Sequence, residues 1–184
     1  MLNTLVMQFD DLLTKYEGVL QKIKTIGDAY WCVCGLPDTV ESPADYTCHF
    51  AHGMFSAVRA ANLASFVLAA TVLASVALEL RRVVGVAGGS CRGGMHTGDI
   101  VAAVMGSVRL TFDVFGDAIN TCSRVMSTAD PNELAVSDTF YETFSRNEQQ
   151  HVSFAFSSPL ERAAKGKKAL VVRALQECKA VVSP

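Results

Sequence analysis

Apolar residues recur at helical spacing from the start of the chain, at Leu2, Leu5, Val6, Phe9, Leu12, Leu13 and Tyr16. The spacing predicts an amphipathic helix over residues 2–17 with one buried stripe, stopped by Gly18. Asp10, Asp11 and Lys15 fall on or near its wet side, so the two acids read as a solvated helix face rather than a metal pair. The period then changes. Ile23 alternates with Lys22 and Lys24, and after Gly27-Asp28 a second run over 29–34 is strand-like. Two strands around a Gly-Asp turn predict a β-hairpin. Ser42-Pro43-Ala44-Asp45 predicts a helix start, with Cys48, Ala51, Phe55 and Val58 on the buried face. His49 and His52 lie off that stripe and read as surface residues.

Residues 60–78 carry no charge. Their length is near that of a membrane span, but they hold Asn62, Ser65, Thr71 and Ser75 and are rich in alanine, a weak driver of insertion. The reading is a buried or interface-packed helix with a break inside it. Gly93-Gly94 ahead of Met95 predicts close backbone packing, and His96 to Asp99 a turn into a strand over 100–105. A strand over 110–115, a Gly116-Asp117 turn and a helix follow. Further on come a loop over 127–132, a short strand over 133–136, and a helix capped by Ser137-Asp138. An alternating run over 152–156, a basic turn at 165–168, a last strand over 169–175 and a frayed tail complete the chain.

With 184 residues, half of them hydrophobic, the chain can bury a sizeable core as one domain. Its net charge of -2 argues against a nucleic-acid binder that works by charge. Six cysteines sit in apolar runs with no C-x-x-C pair, which predicts buried, reduced thiols inside a cell rather than a zinc site. Residues 1–20 carry Asp10, Asp11 and Glu17, which does not fit a signal peptide.

The candidate chemistry gathers after the 110–115 strand. Asn120 and Arg124 are four residues apart on a helix, so they share a face. An amide suits a sugar oxygen, and a guanidinium forks onto phosphate. Asp28, at the hairpin turn, offers a carboxylate to a divalent cation. The turn at Lys165 offers positive charge to a phosphate. No G-K-S/T follows the glycines, so a P-loop is excluded.

Three ordered stretches resemble the catalytic domain of class III nucleotidyl cyclases, the adenylate and guanylate cyclases. They are Lys22 to Tyr30 running on to Gly35-Leu36-Pro37, Gly94 to Gly98 with Gly106, and Phe112 to Asn120 with Ser123-Arg124. Weaker echoes occur over 127–131 and 165–167. The resemblance implies an α+β fold of ferredoxin-like βαββαβ type, a sheet flanked by helices. It implies a catalytic domain over 1–176, with 62–82 a possible insertion and 177–184 a tail.

It also implies roles. Asp28 resembles the second of the aspartates that hold two metal ions, Mg²⁺ or Mn²⁺. Lys24 and Asp113 resemble the pair that reads the purine. Asn120 would orient the ribose, Arg124 would meet the α-phosphate and Lys165 the terminal phosphates. Guanylate cyclases typically carry an acid at the Lys24 position and a small residue such as Cys at the Asp113 position, so the implied substrate is ATP. The implied assembly is a homodimer, or a heterodimer with another cyclase domain. The implied place is the cytoplasm, with membrane contact only through a parent region.

Departures are Ala103 and Ala129 for a usual Gly, Phe112 for Tyr and Lys168 for Gly. The largest concerns the family's first strand, which carries the first metal aspartate and precedes the opening helix. Only Met1 precedes Leu2 here. The expectation is an incomplete sheet and one missing metal ligand. The alternatives to an adenylate cyclase are a catalytically inactive dimerisation or regulatory module and a guanylate cyclase.

Overall fold

The opening stripe folds as α1 (Leu2–Leu13), continued by a 3-10 turn over Thr14–Tyr16. Leu5 and Phe9 are fully buried, and the chain reverses at Gly18. The computed structural model describes residues 2–26, 29–60, 91–146, 154–164 and 169–176. The apolar stretch from residue 61 on, the turn carrying Asp28, the basic turn with Lys165 and the tail lie outside the described residues.

After α1 come β1 (Leu20–Ile26) and β2 (Ala29–Cys34), an antiparallel pair. Helix α2 (Pro43–Ala60) buries Cys48, Ala51, Phe55 and Val58, the face its periodicity marked. The next strands are β3 (Gly93–Met95), β4 (Val101–Met105) and β5 (Thr111–Phe115). Helix α3 (Asp117–Thr128), β6 (Leu134–Ser137) and α4 (Asp138–Arg146) follow. The Ser137 hydroxyl accepts the Phe140 N–H at 3.1 Å, which caps α4. Last come β7 (Ala155–Phe156), β8 (Leu160–Arg162) and β9 (Leu170–Gln176). The alternating run near 152–156 yields only the short β7 among the described residues, and β8 had no clear signal in the sequence.

The fold is α+β, with helices flanking the sheets. The described strands fall into three sheets: β1–β2, the β4–β5 hairpin, and a third in the order β3–β6–β9–β7 with β8 also on β9. In that third sheet β3 and β6 run parallel, while β9 is antiparallel to β6. The principal core joins the sheets. Phe9 meets Tyr30 edge-on at 5.5 Å, and Tyr30 lies 6.5 Å from Phe50 between ring centroids.

The pairing of β1 with β2 is not regular. Lys22 lies opposite Cys32 and Lys24 opposite Trp31, so Ile23 forms a bulge. Cross-strand partners share a face, and adjacent strand residues do not. Lys22 therefore points to the face of Cys32 and Lys24 to the face of Trp31. Simple alternation had put both lysines on one face; the extra residue separates them. Gly94 shows the close approach its sequence predicted. A Cβ there would lie 2.5 Å from the backbone nitrogen and Cβ of Met126, so α3 rests directly on β3.

Candidate functional site

Lys24 and Asp113 come together, although 89 positions separate them. The bulge turns Lys24 toward β5, and its Nζ donates to Asp113 Oδ2 at 2.5 Å. The Val114 N–H donates to the other oxygen at 2.9 Å. Burial pushes the Asp113 carboxyl up. The Lys24 hydrogen bond, the Val114 amide and the Lys24 charge outweigh it and hold the group below its ordinary value. The folded pKa is thus depressed. The pair's contribution to stability is present above the ordinary carboxylate range and is lost as pH falls through the lowered pKa. Lys24→Met is expected to raise the Asp113 pKa in a carboxyl-carbon NMR titration; an unmoved curve would show that Lys24 does not set it.

Strand β5 leads into α3 through Gly116, where φ is 148° and a Cβ would meet the Asp99 carbonyl oxygen at 2.8 Å. Glycine is what lets the strand turn so sharply into the helix. The buried side of α3 is Ala118, Thr121, Cys122, Val125 and Met126. Asn120 is exposed and Arg124 half-buried, one turn apart. The Arg124 Nη1 is buried and has no hydrogen-bond partner among the described residues. A buried guanidinium nitrogen without an acceptor is costly to leave unmet and suits an incoming anion.

Asp10 differs from its expected solvated place. Its Oδ1 accepts from the Tyr30 hydroxyl and from Lys22, both at 2.7 Å, and its Oδ2 accepts from Lys22 at 2.6 Å. Lys22 also sits over the Tyr30 ring at 5.0 Å. Burial first, then Cys32 and Asp10, push the Tyr30 hydroxyl far above its ordinary value, so it remains a donor to Asp10. Asp10 is thus committed to a structural ion pair. Its neighbour Asp11 is exposed. Among the described residues, no three His, Cys, Asp or Glu gather as metal ligands. Cys32, Cys34, Cys48 and Cys91 are buried free thiols, as their apolar setting predicted, and Cys122 is buried as well.

Arg162 carries no mark in the residue pattern. From β8 its guanidinium donates to Glu133 at 2.9 and 3.2 Å, to Asp130 at 3.1 Å, and to the Thr128 carbonyl at the end of α3. It thereby fixes the loop after α3 to the strand that leads toward Lys165. These partners are 29 to 34 positions away, and no local pattern marks such a contact.

Comparison with known proteins follows the same motifs. A family model for the adenylate and guanylate cyclase catalytic domain matches residues 1–176. The aggregation-specific adenylate cyclase of Dictyostelium discoideum is 35% identical over 179 residues, covering 95% of this chain and 10% of that protein. The guanylate cyclase soluble subunit beta-2 of Rattus norvegicus is 34% identical over 139 residues, covering 76% of this chain and 17% of that protein. The chain therefore spans a small part of the length of these curated relatives.

Among solved structures, the guanylate cyclase domain of RhGC from Catenaria anguillulae, in complex with GTP, superposes with a TM-score of 0.67. It is 22% identical, and the match covers 97% of this chain and 82% of that one. The guanylyl cyclase Cya2 gives a TM-score of 0.71 at 17% identity, covering 98% and 81%. These likenesses establish the fold. No helix among the described residues is long and apolar enough to cross a membrane.

Proposed function

The chain belongs to the adenylate and guanylate cyclase catalytic-domain family, and from that premise we propose that it is adenylate cyclase-like, acting on ATP to form 3′,5′-cyclic AMP and pyrophosphate. The observation that carries the choice of ATP is the Lys24–Asp113 pair, 2.5 Å apart and partly open to solvent. Adenine offers a ring-nitrogen acceptor and an exocyclic amine donor, which match an ammonium and a carboxylate in turn. Guanine presents the opposite pattern on that edge. Relatives of both kinds occur, and the purine-reading pair is what favours ATP.

In the proposed reaction the ribose 3′-oxygen attacks the α-phosphorus. The bond to the β-phosphate oxygen breaks, and pyrophosphate leaves. Protein groups contribute position and charge. Asn120, exposed on α3, orients the ribose. The free Nη1 of Arg124 takes up charge that develops on the α-phosphate. Lys165 meets the terminal phosphates. Asp28 is a carboxylate, the hard oxygen donor that Mg²⁺ or Mn²⁺ prefers. When bound, that ion supplies further positive charge to the phosphates.

The β4–β5 hairpin supports assembly with a second copy or another cyclase domain. Val101, Val104, Met105, Val108 and Leu110 are each at least half exposed. A run of bare apolar side chains on one arm marks an interaction surface. The place of action is the cytoplasm or the cytoplasmic face of a membrane-bound parent protein.

Chromatographic product analysis tests the proposal. The protein is expected to form cyclic AMP from ATP when Mg²⁺ or Mn²⁺ is supplied. Cyclic GMP as the main product from mixed nucleotides would overturn the choice of ATP.

A further inference from the structure

Lys22 and Lys24 each hold a carboxylate, on opposite faces of β1. Lys22 donates to both oxygens of Asp10, at 2.7 and 2.6 Å, and lies over the Tyr30 ring. Lys24 donates to Asp113 at 2.5 Å. The bulge between them decides which lysine goes where. Before it Lys22 stands opposite Cys32, and after it Lys24 stands opposite Trp31.

A bulge interrupts the ladder, so the strand has a regular alternative. Continued without the bulge from Lys22 opposite Cys32, the register would set Ile23 opposite Trp31 and Lys24 opposite Tyr30. A slip of one residue sends every later side chain to the other face. Lys24 would then leave the face of Asp113 and share that of Tyr30. The Tyr30 hydroxyl donates to Asp10 at 2.7 Å, so Asp10 is the carboxylate on offer to Lys24 in the regular register. Lys24 gains a carboxylate either way, and its own pairing does not choose between the two registers. The difference lies with Lys22. In the regular register two ammonium groups would crowd one carboxylate, while Asp113, its side chain 19% exposed, would lose its counter-charge. Like charges repel at such a distance, and a half-buried carboxylate without a partner is costly.

We propose that Lys22 is a positioning residue for the Lys24–Asp113 pair: by occupying Asp10 it bars the regular register and keeps Lys24 on Asp113. Its bearing on substrate choice rests on the proposed reading of that pair as the one that meets the base. The role is one of exclusion, which differs from a plain tie between α1 and β1. A plain tie fails in the same way whichever partner is removed. An occupied acceptor does not. Loss of Lys22 leaves Asp10 free to draw Lys24 away. Loss of the Asp10 charge removes the attraction, and Lys24 stays.

Carboxyl-carbon NMR titration of Asp113 in the whole chain reads the placement of Lys24 without any turnover. The ratio of kcat/KM for ATP and GTP reads its consequence. Lys22→Met is expected to raise the Asp113 pKa, because burial, which pushes it up, would no longer be offset by Lys24. The same variant is expected to cut the preference for ATP by about tenfold, a scale on which neighbouring groups couple. Asp10→Asn is expected to leave both readouts unchanged. Lys22→Met combined with Asp10→Asn is expected to match Asp10→Asn, and it decides the matter should Lys22→Met alone fail to fold. Lys24→Met is the reference. An Asp113 curve unmoved in Lys22→Met would overturn the proposal. So would a curve that rises as far in Asp10→Asn, or stays raised in the double variant, since the ion pair would then be a plain tie. A preference that falls in Lys24→Met but not in Lys22→Met would overturn it as well. A preference unmoved in both, with the titrations as expected, would uphold the role of Lys22 and remove the reading of the pair as the one that meets the base.

Discussion

Arg124→Ala is expected to lower cyclic-nucleotide formation by on the order of 10² to 10³-fold and to leave the unfolding midpoint nearly unchanged. The two halves of this expectation rest on different observations. The catalytic half rests on the buried Nη1 that has no hydrogen-bond partner among the described residues. A guanidinium held that way is ready for a phosphate oxygen, and its pull strengthens as charge builds on the phosphorus. The stability half rests on what the side chain leaves behind. Its neighbours Val125 and Met126 carry the packing of α3, and removal of Arg124 takes away a buried donor that was unsatisfied. The measurement is turnover of ATP with Mg²⁺ or Mn²⁺, together with urea unfolding of the same variant. Arg124→Lys should recover part of the rate, since a point charge keeps the attraction and loses the fork. Unchanged turnover in Arg124→Ala would remove the assignment of this residue to the phosphate.

The second large effect concerns substrate choice. Lys24→Glu together with Asp113→Cys is expected to reverse the preference from ATP to GTP. The pair is one unit, held at 2.5 Å between β1 and β5, so either change alone strands the other group. Lys24→Glu alone sets two carboxylates face to face. Asp113→Cys alone leaves an ammonium without its counter-charge. Either single variant should therefore lose activity on both nucleotides, and the double variant should regain it on GTP. A site built around polar partners rejects the wrong one by several powers of ten when its buried groups stay unpaired. Competition between ATP and GTP, read as kcat/KM for each, measures the outcome. ATP preference that survives in the double variant would show that another surface reads the base.

The Lys24–Asp113 pair also shows what periodicity misses. Plain alternation over Lys22, Ile23 and Lys24 places both lysines on one face. The bulge at Ile23 sends them to opposite faces, where Lys22 meets Asp10 on α1 and Lys24 meets Asp113 on β5. That single extra residue separates a structural ion pair from a candidate recognition pair. Asp10 keeps a partly wet position, but its partners were hidden for the same reason. Its helix period gives a wet position, and only the approach of β1 and Tyr30 makes it a shared acceptor.

Much of this protein was legible in its residues alone. The stripe of α1, the start of α2 at Pro43, the glycine turn into α3 and the cap of α4 are each set by a few neighbours in the chain. Local sterics and hydrogen bonds decide such features, so local pattern reveals them. The motifs that point to a nucleotide cyclase were legible as well. Tertiary structure alone decided the bulge at Ile23, the partners of Asp10 and the tie from Arg162 to the end of α3. Each depends on segments distant in sequence that meet in space, and the energy of those contacts appears only once the chain has closed on itself.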